Sequence, residues 1–384
     1  MGRHYEEGRN VDAGPGKHHA VSRLSPYVRK RLVTEKELVT AAIEAHGANQ
    51  AEKFIQEVIW RGYFKGWLER HPSVWADYRS RLARDLSQMQ GDAGLRDAVA
   101  AAETGKSGLE CFDFWARELV ETGYLHNHAR MWFASIWIFT LKLPWRVGAD
   151  FFLRHLLDGD PASNTLGWRW VAGLHTRGRA YEANAWNIEK FSLGRFRPKP
   201  SELASDVQPL DGEEPHGPPP LSPLREINSP QTGAPTALLV TEDDCRVEEY
   251  DLSHLDIRCR ATLAGSSLRS SRPVAQSVIA FERAALDDTA ARLGHTATEL
   301  HATPQTDLVD WVHRAGAVQI VTPYIVQGPL RDWLCPQLAR LSANGIALCE
   351  IQRDWDRAIW PHATAGFFKV KKRIPEIFAA ARVQ

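Results

Sequence analysis

Apolar positions recur every three to four residues through the first half of the chain, the spacing of a single buried helical face. The pattern predicts helices over 35–46, 51–69, 109–122, 126–141 and 147–157. Gly123, Pro144 and Gly159 fall where these runs stop, as residues that break or cap helices do. No period-two alternation occurs before residue 196, so residues 1–196 read as an all-helical domain. Residues 197–236 lose the pattern. Arg197-Pro198-Lys199-Pro200 and Pro218-Pro219-Pro220 sit in a polar stretch with little to bury, which reads as a mobile linker. From 237 the rhythm becomes strand–helix, with strands expected at 237–241, 317–323 and 346–351 and helices at 274–293 and 329–343. The expected fold is multi-domain, α followed by α/β, with a small parallel sheet and crossover helices over 237–384.

Composition narrows the function. The 384 residues carry equal numbers of basic and acidic side chains, 47 each. Residues 1–200 hold 29 Lys and Arg against 23 Asp and Glu, and residues 201–384 hold 18 against 24. The first half permits phosphate contacts without demanding them. Ten of the fourteen tryptophans lie between Trp60 and Trp186; aromatic packing is the ordinary cause, and stacking or electron transfer the specific one. Cys111, Cys245, Cys259, Cys335 and Cys349 form no ligand-like pair and read as reduced thiols, which argues against a metal site. The most apolar run, 131–141, is too short to span a bilayer, and the N-terminus shows no signal peptide. The expectation is a soluble, cytoplasmic monomer away from membranes. Nothing marks 237–384 as a catalytic nucleotide domain, because neither Gly-x-Gly-x-x-Gly nor a phosphate loop occurs there.

The densest chemistry lies in Asp158-Gly159-Asp160-Pro161-Ala162-Ser163-Asn164-Thr165-Leu166-Gly167-Trp168-Arg169-Trp170. Two carboxylates, a carboxamide and two indoles suit a loop around a polar, aromatic cofactor; a turn followed by packing aromatics fits equally. Its company is more specific. Tyr5-Glu6-Glu7-Gly8-Arg9-Asn10, Ser22-Arg23-Leu24-Ser25-Pro26-Tyr27, Phe54-Ile55-Gln56-Glu57-Val58-Ile59-Trp60-Arg61, Gly123-Tyr124-Leu125-His126-Asn127-His128-Ala129-Arg130-Met131 and Trp145-Arg146 precede it in that order. Together these blocks resemble the DNA photolyase/cryptochrome family, blue-light flavoproteins, over about residues 4–175.

The resemblance implies FAD. It places Tyr5, Ser22, Arg23, Leu24 and Ser25 at the FAD phosphates, where helix-terminal N–H groups favour anions, although serine N-caps are commoner. Asp158, Gly159 and Asp160 would hold the flavin and ribose, with Arg130 paired to Asp158 and Asn164 facing flavin N5. Glu57 would hydrogen-bond a pyrimidine and stabilise or protonate the reduced dimer. Trp60 and Trp170 would wall a flipped-out lesion, and Arg9 and Arg61 would contact phosphates. Asn127 and Met131 stand where the 6-4 photoproduct branch has histidines, which favours cyclobutane dimers. Trp168 and Trp145 match the inner members of a tryptophan electron-transfer chain. Its outer member is missing near Asp92, with Trp67, Trp75 or Trp115 as substitutes. After Trp170 the family pattern stops at 180–188, and His128 replaces an arginine. The 237–384 region is similar to the family's antenna domain, here placed after the helical domain. The implied activity is repair of cyclobutane pyrimidine dimers in DNA, single- or double-stranded, by electron transfer from reduced FAD. A photoreceptor of the cryptochrome type is the alternative.

Overall fold

A computed structural model describes residues 1–215, 217–294 and 297–383. Its first half is helical: α1 Arg3–Gly8, α2 Ser25–Arg29, α3 Glu35–His46, α4 Ala48–Arg70, α5 Pro72–Gly91, α6 Ala93–Glu103, α7 Glu110–Thr122, α8 Asn127–Ser135, α9 Trp145–His155, α10 Pro161–Val171 and α11 Ala185–Phe191. Local chemistry sets several ends. Thr34 and Glu37 form a capping box at α3, Asp92 caps α6, and Gly123, at φ 66°, closes α7 in the left-handed region. The expected 126–141 helix widens into a π-helical turn at Ile136–Thr140, where Trp137 and its neighbours are buried.

The second half holds one parallel sheet, β1 Pro235–Thr241, β2 Asp256–Ala264, β3 Thr298–His301, β4 Gln319–Pro323 and β5 Ala347–Ile351, ordered β3-β2-β1-β4-β5. Helices α12 Gln276–Arg292, α13 Leu308–Arg314 and α14 Pro329–Ala343 alternate with the strands, and α15 Asp354–Ile359, α16 Phe368–Lys371 and α17 Ile374–Ala380 follow. Apolar residues on the two sheet faces enter separate clusters, Leu239 and Ile320 in one, Leu238 and Val321 in the other. The tail of the chain returns to the helical half, where Trp355, Ile359 and Trp360 join its core.

Three expectations need correction. Residues 158–170 are not a loop: Asp160 caps α10 through Ser163 N at 2.8 Å and Pro161 opens it, so only Asp158-Gly159-Asp160 is a turn. Strands β2 and β3 went unseen because β2 begins with half-buried and exposed polar residues and β3 is a four-residue polar edge. The 197–236 segment, expected to be mobile, is anchored at several of its described residues. Leu203 is buried, Leu210 N donates to Ala172 O at 3.0 Å, and Glu213 accepts from Trp145 Nε1 at 3.0 Å and pairs with Arg146.

Candidate functional site

Helix α4 is buried on most faces, yet Glu57, Trp60, Arg61 and Phe64 stay half-exposed as one helical stripe. Helix α10 leaves a matching stripe, Ser163, Gly167 and Trp170, while Asn164 and Trp168 point inward and are buried. The two helices pack together, and the Asp158-Gly159-Asp160 turn enters beside them. Arg61 donates to Ser25 O at 3.4 Å. Ser22, Leu24 and Ser25 are half-buried, and Ser22 Oγ accepts from Leu24 N at 3.4 Å. Arg23 holds φ 54°, a left-handed conformation uncommon outside glycine.

The carboxylates are strongly partnered. Burial pushes Asp158 upward, but Arg130 Nη2 at 2.9 Å, the Ser25 hydroxyl and Arg61 outweigh it and hold its pKa below the usual value. Asp160 is also held low: burial opposes ionisation, and Lys65, Arg29, the Ser163 amide and Arg61 favour it. Lys65 Nζ lies 4.0 Å from Asp160 Oδ2 and is itself buried. Asn164 donates its amide to Ala149 O at 2.8 Å, which leaves its carbonyl oxygen as the free end.

Trp168 needs space that a glycine supplies. A Cβ on Gly148 would lie 2.4 Å from Trp168 Cη2, so only glycine fits at that position in α9. Trp168 then meets Phe152 at 5.1 Å and Trp137 at 6.3 Å between ring centroids. Trp145 approaches Tyr78 at 6.0 Å, and Tyr78 approaches Trp75 at 5.3 Å. Of the three outer-tryptophan substitutes, Trp75 is thus joined to Trp145 through one ring. Trp115 instead donates to buried Asp12 at 3.1 Å, and Trp67 stacks on His71 at 3.8 Å.

The lesion-side residues divide. Glu57 pairs with Arg9, and Tyr5, packed edge-on to Phe54 at 5.3 Å, is pushed up to about 12 by burial and then by Glu57. Trp60 has Phe367 on one face, 3.9 Å between centroids, so only part of its ring is open. Trp170 packs against Tyr181 at 5.5 Å. Asn127 is exposed, Met131 half-buried, and His128 Nδ1 lies 2.9 Å from Asn10 O.

Residues 54–192 match the family model described as the FAD binding domain of DNA photolyase. Over those residues the chain is similar to the FAD-binding domain of the photolyase/cryptochrome family. FAD is its cofactor. Similar proteins include the deoxyribodipyrimidine photo-lyases of Streptomyces griseus (39% identical over 173 residues), Thermus thermophilus (35% over 173) and Escherichia coli (30% over 182). These matches cover 45%, 45% and 46% of this chain and 35%, 39% and 37% of the relatives. The chain therefore spans well under half the length of the relatives it matches. A solved bacterial class III photolyase from Agrobacterium tumefaciens is 29% identical, covering 49% of this chain and 39% of that one at a TM-score of 0.40.

The residues present fit the cofactor. Asp158 Oδ1 and Trp168 Nε1 are buried without a hydrogen-bond partner, and orphaned atoms of this kind call for a ligand or water. Beyond Gly167 a Cβ would meet nothing within 4 Å, so α10 presents bare backbone to the open side. Arg61 and the half-buried serines suit phosphate, and the two aspartates suit hydroxyl and ring N–H donors. Gly148, Gly167, Lys65 and Arg29 were not found from the sequence. Gly148, four residues after a proline inside an amphipathic run, was the one visible signal.

Proposed function

We propose that the protein repairs cyclobutane pyrimidine dimers in DNA under blue light. This reading is supported by the packing of α4 against α10, whose half-exposed residues include Glu57, Trp60 and Trp170, with the partnered carboxylates Asp158 and Asp160 in the turn that opens α10. Bound FAD, reduced and excited by light, supplies the electron that opens the dimer. The chain's part is positional and electrostatic. Arg9 pairs with Glu57 and orients its carboxylate to accept a hydrogen bond from the pyrimidine edge. Trp170 and the open part of Trp60 take the two faces of the flipped bases. Asn164 turns its carbonyl oxygen to the cofactor. Trp168 serves electron transfer to the flavin together with Trp145, whose ring is followed by Tyr78 and the buried Trp75.

Trp186 on α11 is 64% exposed, with Lys190 Nζ 4.8 Å from its ring. An open indole beside a cation suits an unpaired base, which supports single strands as the preferred substrate.

A Glu57→Ala variant should keep FAD, read from its visible spectrum, and lose most of the repair yield. Repair is followed as recovery of thymine absorbance in an irradiated oligonucleotide under blue light, and an unchanged quantum yield removes Glu57 from this role. The second reading is a photoreceptor without repair, favoured by the seat of Phe367 on Trp60. In that case wild type binds FAD and responds to light while the thymine absorbance stays flat.

A further inference from the structure

Doubly wound parallel sheets take their ligands outside the carboxyl ends of the strands, where the strand order reverses. In this sheet that point lies between β1 and β4. It is occupied by the chain itself. Arg29, the last residue of α2, is 3% exposed and sets Nη1 2.9 Å from Asp243 Oδ1 and Nη2 3.8 Å from Glu242 Oε1. The space left there is about 10 Å³, lined by residues including Arg29, Pro161, Glu242, Arg269 and Gly328. That volume holds at most one water.

The other edge of the same guanidinium faces the flavin half. Arg29 Nε lies 3.5 Å from Asp160 Oδ2 and donates to Gly159 O at 3.3 Å. Arg269, from the α/β half, reinforces the grip by donating to Leu156 O at 3.0 Å and to Glu242 Oε2 at 3.2 Å. A Cβ on Gly159 would come within 2.6 Å of Arg269 Nη1 and 3.0 Å of Leu156 O, so a side chain there would displace Arg269 from the turn. A planar guanidinium with several fixed N–H groups can serve both sides at once, which a lysine cannot.

We propose that Arg29 is a positioning residue: it fills the ligand position of the α/β half and uses it as an anchor to aim the Asp158-Gly159-Asp160 turn at the cofactor. The α/β half is then a clamp on the flavin site. The link to FAD rests on the reading of Asp160 given above; the positioning of the turn does not.

The test compares wild type with Arg29→Met/Asp243→Asn, in which Asp243 is neutralised while Asp160 keeps Lys65 and Glu242 keeps Lys30 and Arg269, and with Asp243→Asn alone as the control for the second change. Two quantities are measured on the full chain: amide hydrogen exchange at Ser163 and Asn164, and FAD affinity by fluorescence titration of the apoprotein. Expected in the double variant are faster exchange in the first turn of α10, unchanged exchange in α13, and FAD binding weaker by about tenfold, the equivalent of one charge-assisted contact. Asp243→Asn alone should resemble wild type in both. Unchanged exchange at Ser163 and Asn164 in a folded double variant overturns the positioning role. Faster exchange in a chain whose wild type binds no FAD supports the positioning and defeats the flavin reading. Faster exchange with FAD affinity intact overturns the link to the cofactor.

Discussion

At the scale of single residues, the strongest constraints come from what is absent. Gly148 exists because Trp168 occupies the place of its side chain. Gly148→Ala should cost about 1–3 kcal/mol by overpacking, and Gly148→Ala/Trp168→Phe should recover part of it; urea unfolding reads both. Glu118 shows the opposite case, a group present at a cost. It is 4% exposed, its Oε2 has no partner, and burial followed by the charge of Asp12 pushes it up to about 8, against a smaller opposing pull from Arg195. The folded chain therefore keeps the proton that the unfolded chain releases near pH 4.5. Its contribution is full below pH 4.5 and shrinks as pH rises towards 8, by up to about 1.4 kcal/mol per pH unit. Glu118→Gln should remove that slope. Stability measured at about pH 5 and about pH 8 checks it, and equal slopes in the two proteins would falsify the assignment.

At the scale of elements, helices with one apolar face were legible because periodicity alone defines them; α3 and α14 match the expected 35–46 and 329–343. What could not be read depended on partners far along the chain. β3 carries no apolar signal since it is an edge. α10 was hidden because its cap, Asp160, is also a site residue, and chemistry drew attention away from helix grammar. Tyr5, Arg9 and Glu57 were legible as candidates from family blocks, whereas Arg29-Lys30-Arg31 and Glu242-Asp243-Asp244 were not. Two charged triplets read as solvated until their mates are known, and only the fold pairs Lys30 with Glu242 and Arg31 with Asp244. The anchored 197–236 segment follows the same logic, since its grip comes from Arg146 and Trp145 in α9. Glu213→Ala should leave Arg146, 5% exposed, with Asp85 as its one remaining carboxylate and free the Trp145 N–H. The expected loss is about 1–3 kcal/mol in chemical unfolding, and a change near zero would show that the segment only rests on the surface.

At the scale of the whole molecule, the two halves are joined by buried ions and by a second, polar contact. Glu69 in α4 accepts from Tyr324 Oη at 2.6 Å and from Gln327 N at 2.5 Å. Burial raises the Glu69 pKa, opposed by those two hydrogen bonds. Tyr324→Phe removes one donor from a buried carboxyl and should lower stability by about 1–3 kcal/mol; thermal unfolding should stay a single transition if the halves melt together. Among the described residues no helix is long and apolar enough to cross a membrane.

Helix α4 also carries a groove made by Gly62 and Gly66, into which Ile359 and Trp360 settle; a Cβ at Gly66 would stand 2.6 Å from Trp360 Cδ1 and 2.9 Å from its Cα. The groove is synthesised early and its filling late. While the chain is being made, α4 must wait with a bare apolar furrow through the emergence of the whole parallel sheet. Such exposure is when nascent chains aggregate or recruit chaperones. The yield of folded protein is then set by how soon residues 355–360 reach α4, so slowing translation between the sheet and that segment should lower soluble yield.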